Sequence, residues 1–267
     1  MVRRAVIVIP TYNEYHNVRP LVDRILDLPL PLDLFFVDDA SPDGTGQLLD
    51  EICGSLPRCR VLHRSRKLGL GTAYREAYRI LLRENYTYFL QMDADLSHRP
   101  EDIGRLMQSA LEADVVIGSR YCAGGGSKNW PLVRRMLSRT ANRASGGLLR
   151  LAVKDSTAGF RCHRRAVIES LDAIDIRANG YAFQIEMAYY SQYMGFRILE
   201  IPIMFDDRKY ARSKMSYREI RGTAVTLARL FTQRLVGLKH LQPMTGSVNP
   251  LGGIIGRTGP GGSGVRN

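Results

Sequence analysis

Gln91-Met92-Asp93-Ala94-Asp95-Leu96-Ser97-His98 follows Tyr86-Thr87-Tyr88-Phe89-Leu90, a β-branched and aromatic run of the kind that forms a buried strand. Two carboxylates, Asp93 and Asp95, therefore emerge where a strand ends. So placed, they repel one another unless a cation sits between or beside them. Hard oxygen ligands whose remaining positions phosphate can fill suit Mg2+ or Mn2+. Taken alone, an Asp-x-Asp after a strand fits a solvated turn equally well, since acidic residues are common in turns. What favours the metal is that neighbouring segments repeat the arrangement of apolar strand followed by polar, Gly-rich or acidic turn.

Upstream, Ala5-Val6-Ile7-Val8-Ile9 is a continuous apolar run, the pattern of a parallel strand covered on both faces. Pro10 stops it, Thr11-Tyr12-Asn13-Glu14 makes the turn, and Val18, Leu21, Val22, Ile25 and Leu26 recur at helical spacing. Leu34-Phe35-Phe36-Val37 repeats the unit and ends in Asp38-Asp39-Ala40-Ser41-Pro42-Asp43-Gly44-Thr45, ahead of a helix near Gln47 to Cys53. Val61-Leu62 reads as a short third strand, followed by Arg64, Arg66, Lys67 and Gly69-Leu70-Gly71-Thr72-Ala73, where glycines let a helix N-terminus approach an anion. Downstream come a helix around Ile103 to Leu111 and a buried strand, Val115-Val116-Ile117-Gly118-Ser119, ending in the cation Arg120. This alternation predicts an α/β fold with a mostly parallel central sheet flanked by helices, its ligands beyond the carboxyl ends of the strands.

From Gly124-Gly125-Gly126 the texture changes. Trp130-Pro131 leads into a basic helical stretch with Arg134, Arg135, Arg139 and Arg143, then Asp155-Ser156-Thr157-Ala158-Gly159-Phe160-Arg161. Tyr181 to Glu186 opens a helix, Ile198 to Met204 reads as a late strand, and the charged run from Asp206 to Lys214 reads as a mobile loop. Ile220, Ala224, Leu227, Phe231, Leu235 and Leu238 form one apolar stripe, so a helix over 218–240 either packs on the core or lies on a bilayer surface. The Gly- and Pro-rich segment 241–267 reads as disordered, leaving one domain over 1–240.

With 267 residues and 45% hydrophobic content the chain can bury one sizeable core. A net charge of +12 and a pI near 9.8 imply an acidic partner: nucleic acid, an anionic membrane surface, or phosphorylated substrates. Cys53, Cys59, Cys122 and Cys162 lack zinc-site spacing and are expected as reduced thiols. No apolar run approaches the roughly 20 residues of a membrane span, and no signal-peptide core follows Met1, so a cytoplasmic, non-spanning protein is expected.

Acidic turns that bind a divalent ion, with Arg120, Arg208 and Lys214 as cations, make a pocket for a diphosphate leaving group. The motifs suggest no Ser-His-Asp or Cys-His set, and no Walker-type loop occurs. His98 is as suited to a positioning or structural role as to that of a base.

Pro10-Thr11-Tyr12-Asn13-Glu14, Asp38 to Thr45, Lys67 to Ala73, Met92 to His98 and Gly118-Ser119-Arg120-Tyr121 together resemble the family 2 glycosyltransferases of GT-A fold, specifically the dolichol-phosphate or polyprenol-phosphate mannosyltransferases. The resemblance runs from about residue 5 to 240. It implies inverting transfer of mannose from GDP-mannose to a polyprenyl phosphate. By it, Pro10, Tyr12, Glu14, Val37 and Asp39 hold the nucleotide, and Asp93, Ala94 and Asp95 the metal and diphosphate. Ser97 stands where some relatives carry Gln, which puts a third metal contact in question. Arg208 and Lys214 match a loop closing on the donor phosphates, and Arg120, Arg134 and Ser138 meet the acceptor phosphate. Members without membrane spans are peripheral on the cytoplasmic face or rely on a separate anchor subunit. Nucleic acid is not among the implied partners.

A phosphomonoester acceptor, with a second pKa of about 6, is largely dianionic at neutral pH, so no catalytic base is required. The rivals are a polyprenyl-phosphate glucosyl- or aminosugar transferase using a UDP-sugar, a polysaccharide synthase, a nucleotidyltransferase, and a non-catalytic sugar-nucleotide-binding subunit. Trp130 lies in no Gln-x-x-Arg-Trp segment, which disfavours the synthase.

Overall fold

Continuous apolar runs put strands in the interior of a computed structural model that describes residues 4–174, 176–206 and 217–236. β1 (Ala5–Thr11), β2 (Leu32–Asp38), β3 (Cys59–His63), β4 (Tyr88–Gln91), β5 (Val115–Ser119), β7 (Arg161–Arg164) and β8 (Ile198–Pro202) form one sheet in the order β3-β2-β1-β4-β7-β5-β8. All its pairings are parallel except those of β7, which runs antiparallel to both β4 and β5. β6 (Gly126–Lys128) and β9 (Met204–Asp206) pair in a separate parallel ribbon.

The two side-chain sets of each strand feed two cores, as the period of two requires. Val6 and Val8 of β1 pack with α3 (Leu70–Leu81), α6 (Arg165–Asp172) and α7 (Tyr181–Tyr193). Ala5, Ile7 and Ile9 pack with α1 (Tyr15–Leu26), α2 (Thr45–Ser55) and α4 (Ile103–Ser109). α7 is buried from Ala182 through Ser191 on every side. α5 (Leu132–Leu149) and α8 (Tyr217–Val236) complete the molecule.

The mostly parallel sheet flanked by helices is as expected; three details are not. β7 was not foreseen, because Arg161-Cys162-His163-Arg164 carries no apolar run. It is buried by backbone pairing on both sides, and Arg161 and His163 are fully enclosed. The expected single strand from Ile198 to Met204 is broken at Ile203, whose N–H reaches Ser119 O at 3.1 Å and whose carbonyl receives Gly126 N–H at 3.0 Å. β9 thereby leaves the main sheet for β6. Third, Cys53 and Cys59 are disulfide-bonded rather than reduced, because the short turn from α2 to β3 brings their Cα atoms to 4.6 Å; Cys122 and Cys162 are free.

Among the described residues no helix is long and apolar enough to cross a membrane. The expected loop cations Arg208 and Lys214, the residues beyond Val236 and the tail from 241 lie outside the described residues.

Candidate active site

Strand order reverses at β1, between β2 and β4, and a ligand crevice opens beyond the carboxyl ends of such strands. Because β7 runs the other way, the segment before it, 155–160, arrives at the same edge as the ends of β4 and β5. Antiparallel insertion is thus what brings a second loop against Asp93 and Asp95.

Asp93 and Asp95 flank Ala94 at the end of β4. Ser97 donates its N–H at 3.0 Å and its hydroxyl at 2.5 Å to Asp95 Oδ1. Ser97 is fully buried, so it acts on the site through Asp95. His98 Nδ1 accepts the Asp93 N–H at 3.2 Å, and the ring stacks on Phe160 with centroids 5.0 Å apart. Burial pushes the His98 pKa below its ordinary value, against the pull of Asp93 and Asp95. A neutral imidazole accepting at Nδ1 carries its proton on Nε2. It therefore holds the Asp93 backbone and has no lone pair left for a substrate proton. Gly159 faces the Asp93 carboxylate so closely that a Cβ there would lie 3.4 Å from Oδ1.

Arg120, at the end of β5, is gripped by Asp155. Its Nε donates to Oδ2 and its Nη2 to Oδ1, both at 2.7 Å, and its N–H reaches Oδ2 at 2.9 Å. Nη2 also donates to Thr157 Oγ1 at 2.8 Å, while Nη1 has no hydrogen-bond partner among the described residues. Burial alone would raise the Asp155 pKa, but Arg120 carries it below the ordinary carboxylate value. Beneath the loop, buried Arg161 donates to the carbonyls of Ala158, Gln184 and Ser156 at 2.7–2.9 Å. Desolvation lowers its pKa to about 10, so it stays charged at neutral pH.

The edge formed by β1, β2 and the start of α3 gathers Pro10, Tyr12, Glu14, Val37 and Asp39. Lys67 Nζ lies 3.6 Å from the Tyr12 ring centroid, and Glu14 accepts from Asn17 Nδ2 at 2.7 Å. Val37 and Ala94 are buried, so their backbones are what a ligand can meet. Asp39 accepts from Arg64 Nε at 2.5 Å and from Gly69 N–H at 2.8 Å. Asn179 Oδ1 takes the Gly71 N–H at 2.7 Å. The anion expected at this helix N-terminus is thus met by the protein itself: Asp39 and Asn179 occupy two of the donors that a phosphate would use.

Asp93, Asp95, His98, Arg120, Trp130 and Arg134 line one narrow pocket of about 30 Å3, closed by Ile203 and Phe205. Arg120, Trp130, Arg134, Thr157 and Tyr181 also line a second, largely apolar groove of about 320 Å3 that runs between α5 and α8 past Ser138, Ala141, Ala144 and Leu227. The expected acceptor residues Arg120, Arg134 and Ser138 are therefore brought together, with Arg120 and Arg134 at the junction of pocket and groove. Asp155, Thr157 and Trp130 join the site without a sequence motif that marks them. Asp155 lies 35 positions from its partner Arg120, and only the β5–β7 pairing joins them. Its place in the Asp-Ser-Thr-Ala-Gly turn before a buried basic residue is the one signal that could have found it.

Among the described residues no three His, Cys, Asp or Glu side chains converge as a metal cage. The two carboxylates fit an ion that takes its other ligands from a diphosphate and water, as Mg2+ does.

Residues 6–172 match the family described as Glycosyl transferase family 2. The chain is 43% identical over 228 residues to a polyprenol monophosphomannose synthase of Mycolicibacterium smegmatis, covering 85% of this chain and 86% of that one. It is 39% identical over 226 residues to an undecaprenyl-phosphate mannosyltransferase of Micrococcus luteus, covering 85% and 93%. Among solved structures, glucosyl-3-phosphoglycerate synthase from Mycobacterium tuberculosis in complex with UDP superposes with a TM-score of 0.63 at 19% identity, over 92% of this chain and 83% of that one. The mannosyltransferase PcManGT from Pyrobaculum calidifontis, in complex with GDP-Man and Mn2+, gives 0.57 at 18% identity, over 89% and 66%. Sharing this fold, the carboxylate pair at the end of β4, and a family match over more than half its length, the chain belongs to glycosyl transferase family 2.

Proposed function

We propose that this protein transfers mannose from GDP-mannose to the phosphate of a polyprenol, with inversion at the anomeric carbon. The observation that carries this is the shared wall of Arg120, Trp130 and Arg134: on one side a pocket holding two carboxylates, on the other an apolar groove. A molecule that is a phosphate at one end and hydrocarbon at the other fits that junction. The names of the two relatives support the same substrates.

In this reading a phosphate oxygen of the acceptor attacks C1 of the sugar while the bond from C1 to the diphosphate breaks on the opposite face. Asp93 and Asp95 would hold Mg2+ or Mn2+, which supplies neutralisation of charge on the departing diphosphate. Asp95 is oriented by Ser97, and Asp93 by His98. Arg120, fixed by Asp155, offers Nη1 to a phosphate oxygen, and Arg134 with Ser138 receives the acceptor end. No side chain need remove a proton, in keeping with a His98 whose Nδ1 is already engaged.

The acceptor's location calls for a membrane contact, and α5 offers one. Leu132, Val133 and Met136 are exposed, Val133 at 69%. Arg139, Arg143 and Lys154 ring a cavity of about 490 Å3 beside this face, where anionic headgroups would be attracted. This supports a peripheral enzyme on the cytoplasmic membrane face. A separate anchor subunit would reinforce the contact.

The test is incubation with a panel of sugar nucleotides and a short polyprenyl phosphate, with Mg2+ or Mn2+, and identification of the lipid product by mass. Polyprenyl phosphate mannose from GDP-mannose alone is expected. Product from a UDP-sugar instead would move the assignment to a glucosyl- or aminosugar transferase.

A further inference from the structure

Arg120 and Arg134 line the same corner of pocket and groove, and like charges in a partly desolvated site repel. Asp155 neutralises Arg120. Glu219 lines the groove with both arginines, and Arg120 also lies over the Tyr121 and Phe205 rings, but Trp130, 7% exposed and lining both pocket and groove, is the ring in contact with both cations. The guanidinium carbon of Arg120 sits over its ring at 5.0 Å from the centroid, and that of Arg134 does the same, also at 5.0 Å. Phe205 braces the indole from β9, with centroids 5.3 Å apart.

The indole N–H is informative by what it lacks. Nε1 is buried and has no acceptor among the described residues. An unsatisfied buried donor is destabilising, so an apolar ring of similar size would serve better if filling the corner were all that was needed. Tryptophan has the most negative face of the aromatic side chains, and that property answers the need of two adjacent guanidinium groups.

We propose that Trp130 is a positioning residue for the acceptor phosphate: its ring, in contact with both guanidinium groups, holds Arg120 and Arg134 in the geometry that receives a phosphomonoester at the mouth of the apolar groove. This rests on the reading of the acceptor as a polyprenyl phosphate. Trp130 takes no part in bond making. It acts through the two arginines, and its removal should weaken the acceptor while sparing the donor.

Trp130 is the only tryptophan in the chain, so biosynthetic incorporation of fluorinated tryptophans alters this ring alone. Ring fluorination withdraws negative charge from the face with little change of volume. The acceptor KM for a short polyprenyl phosphate should rise stepwise from tryptophan through mono-, di- and trifluorotryptophan, reaching between about twofold and thirtyfold. The GDP-mannose KM and the melting temperature should hold steady. Trp130→Phe, with a weaker face, should fall within the series and Trp130→Leu beyond it. A flat fluorination series, or an equal rise in both KM values, overturns the proposal. If Trp130→Leu fails to fold, the fluorinated proteins still decide. Wild-type turnover of polyprenyl phosphate is the separate control: its absence defeats the functional reading itself, whereas its presence with a flat series defeats only the role of Trp130.

Discussion

The two sides of the carboxylate pocket treat charge in opposite ways. On the side proposed to hold the nucleotide, acids are consumed by the protein. Asp38 accepts from Ser41 and Thr11, Asp39 from Arg64 and Gly69, and Asp43 from Thr45 and Tyr15. On the side proposed for the acceptor, cations gather: Arg120 and Arg134 both contact the Trp130 ring, with Asp155 the carboxylate in direct contact with Arg120. Formal charge in a sequence does not distinguish charges that shape loops from charges left for a substrate. Acids that accept backbone N–H groups hold turns in place, whatever formal charge they add to the sequence.

The largest effect should come from the pair between the two sides. Asp95→Asn is expected to lower turnover by roughly a thousandfold or more across a Mg2+ and Mn2+ titration, the scale of a lost Lewis-acid contribution. Equal activity of mutant and wild type at every metal concentration would take the metal away from these carboxylates. Next, Asp155→Ala strands Arg120 as a buried cation and should destabilise the fold by about 3–5 kcal/mol in denaturant unfolding. The sign with pH follows from its depressed pKa. The wild-type pair contributes fully above the ordinary carboxylate range and is lost as pH falls through the lowered value, so the variant should lose that acid-limb sensitivity.

Arg134→Ala should weaken acceptor use by about tenfold to over a hundredfold, the worth of a charge-assisted hydrogen bond, with GDP-mannose affinity by calorimetry nearly unchanged. Equal loss for both substrates would erase the division between the sides. Asp43→Ala, on the opposite side, should cost only about 1 kcal/mol of stability, read as a small fall in melting temperature. The smallest effect on stability belongs to Val133→Glu with Met136→Glu, within about 0.5 kcal/mol of wild type. That variant should nevertheless lose flotation with anionic vesicles. Retained flotation would remove α5 from the membrane.

The contrast also explains what could be read in advance. β1, β2, β4 and β5 were legible because each is a continuous apolar run, and the carboxylate pair followed from where β4 ends. β7 was hidden because hydrogen bonding to two neighbours, rather than apolar side chains, buries it. Asp155 was hidden with it, since its role depends on that pairing. By periodicity the α8 stripe fits core or membrane equally. Leu227 and Leu230 pack into the core and Phe231 against it, whereas Leu235 and Val236 stay exposed. Periodicity reveals that a face is apolar, and only the fold reveals what meets it. Leu238 of that stripe lies outside the described residues.

The antiparallel strand β7 has a further consequence, for the order in which a nascent chain can become an enzyme. β4 is an open edge until Arg161–Arg164 docks beside it, and β5 reaches the sheet only across that same strand. The first half of the chain can pair β1, β2, β3 and β4 as it emerges, but the loop that seats Arg120 is still untranslated. Contacts spanning so many residues form slowly, and an apolar strand edge waits exposed meanwhile. Translation beyond Arg164 is therefore the event that both caps the edge and seats Arg120, while the groove still waits for α8, so a product truncated before Arg164 would be prone to aggregate and unable to turn over substrate.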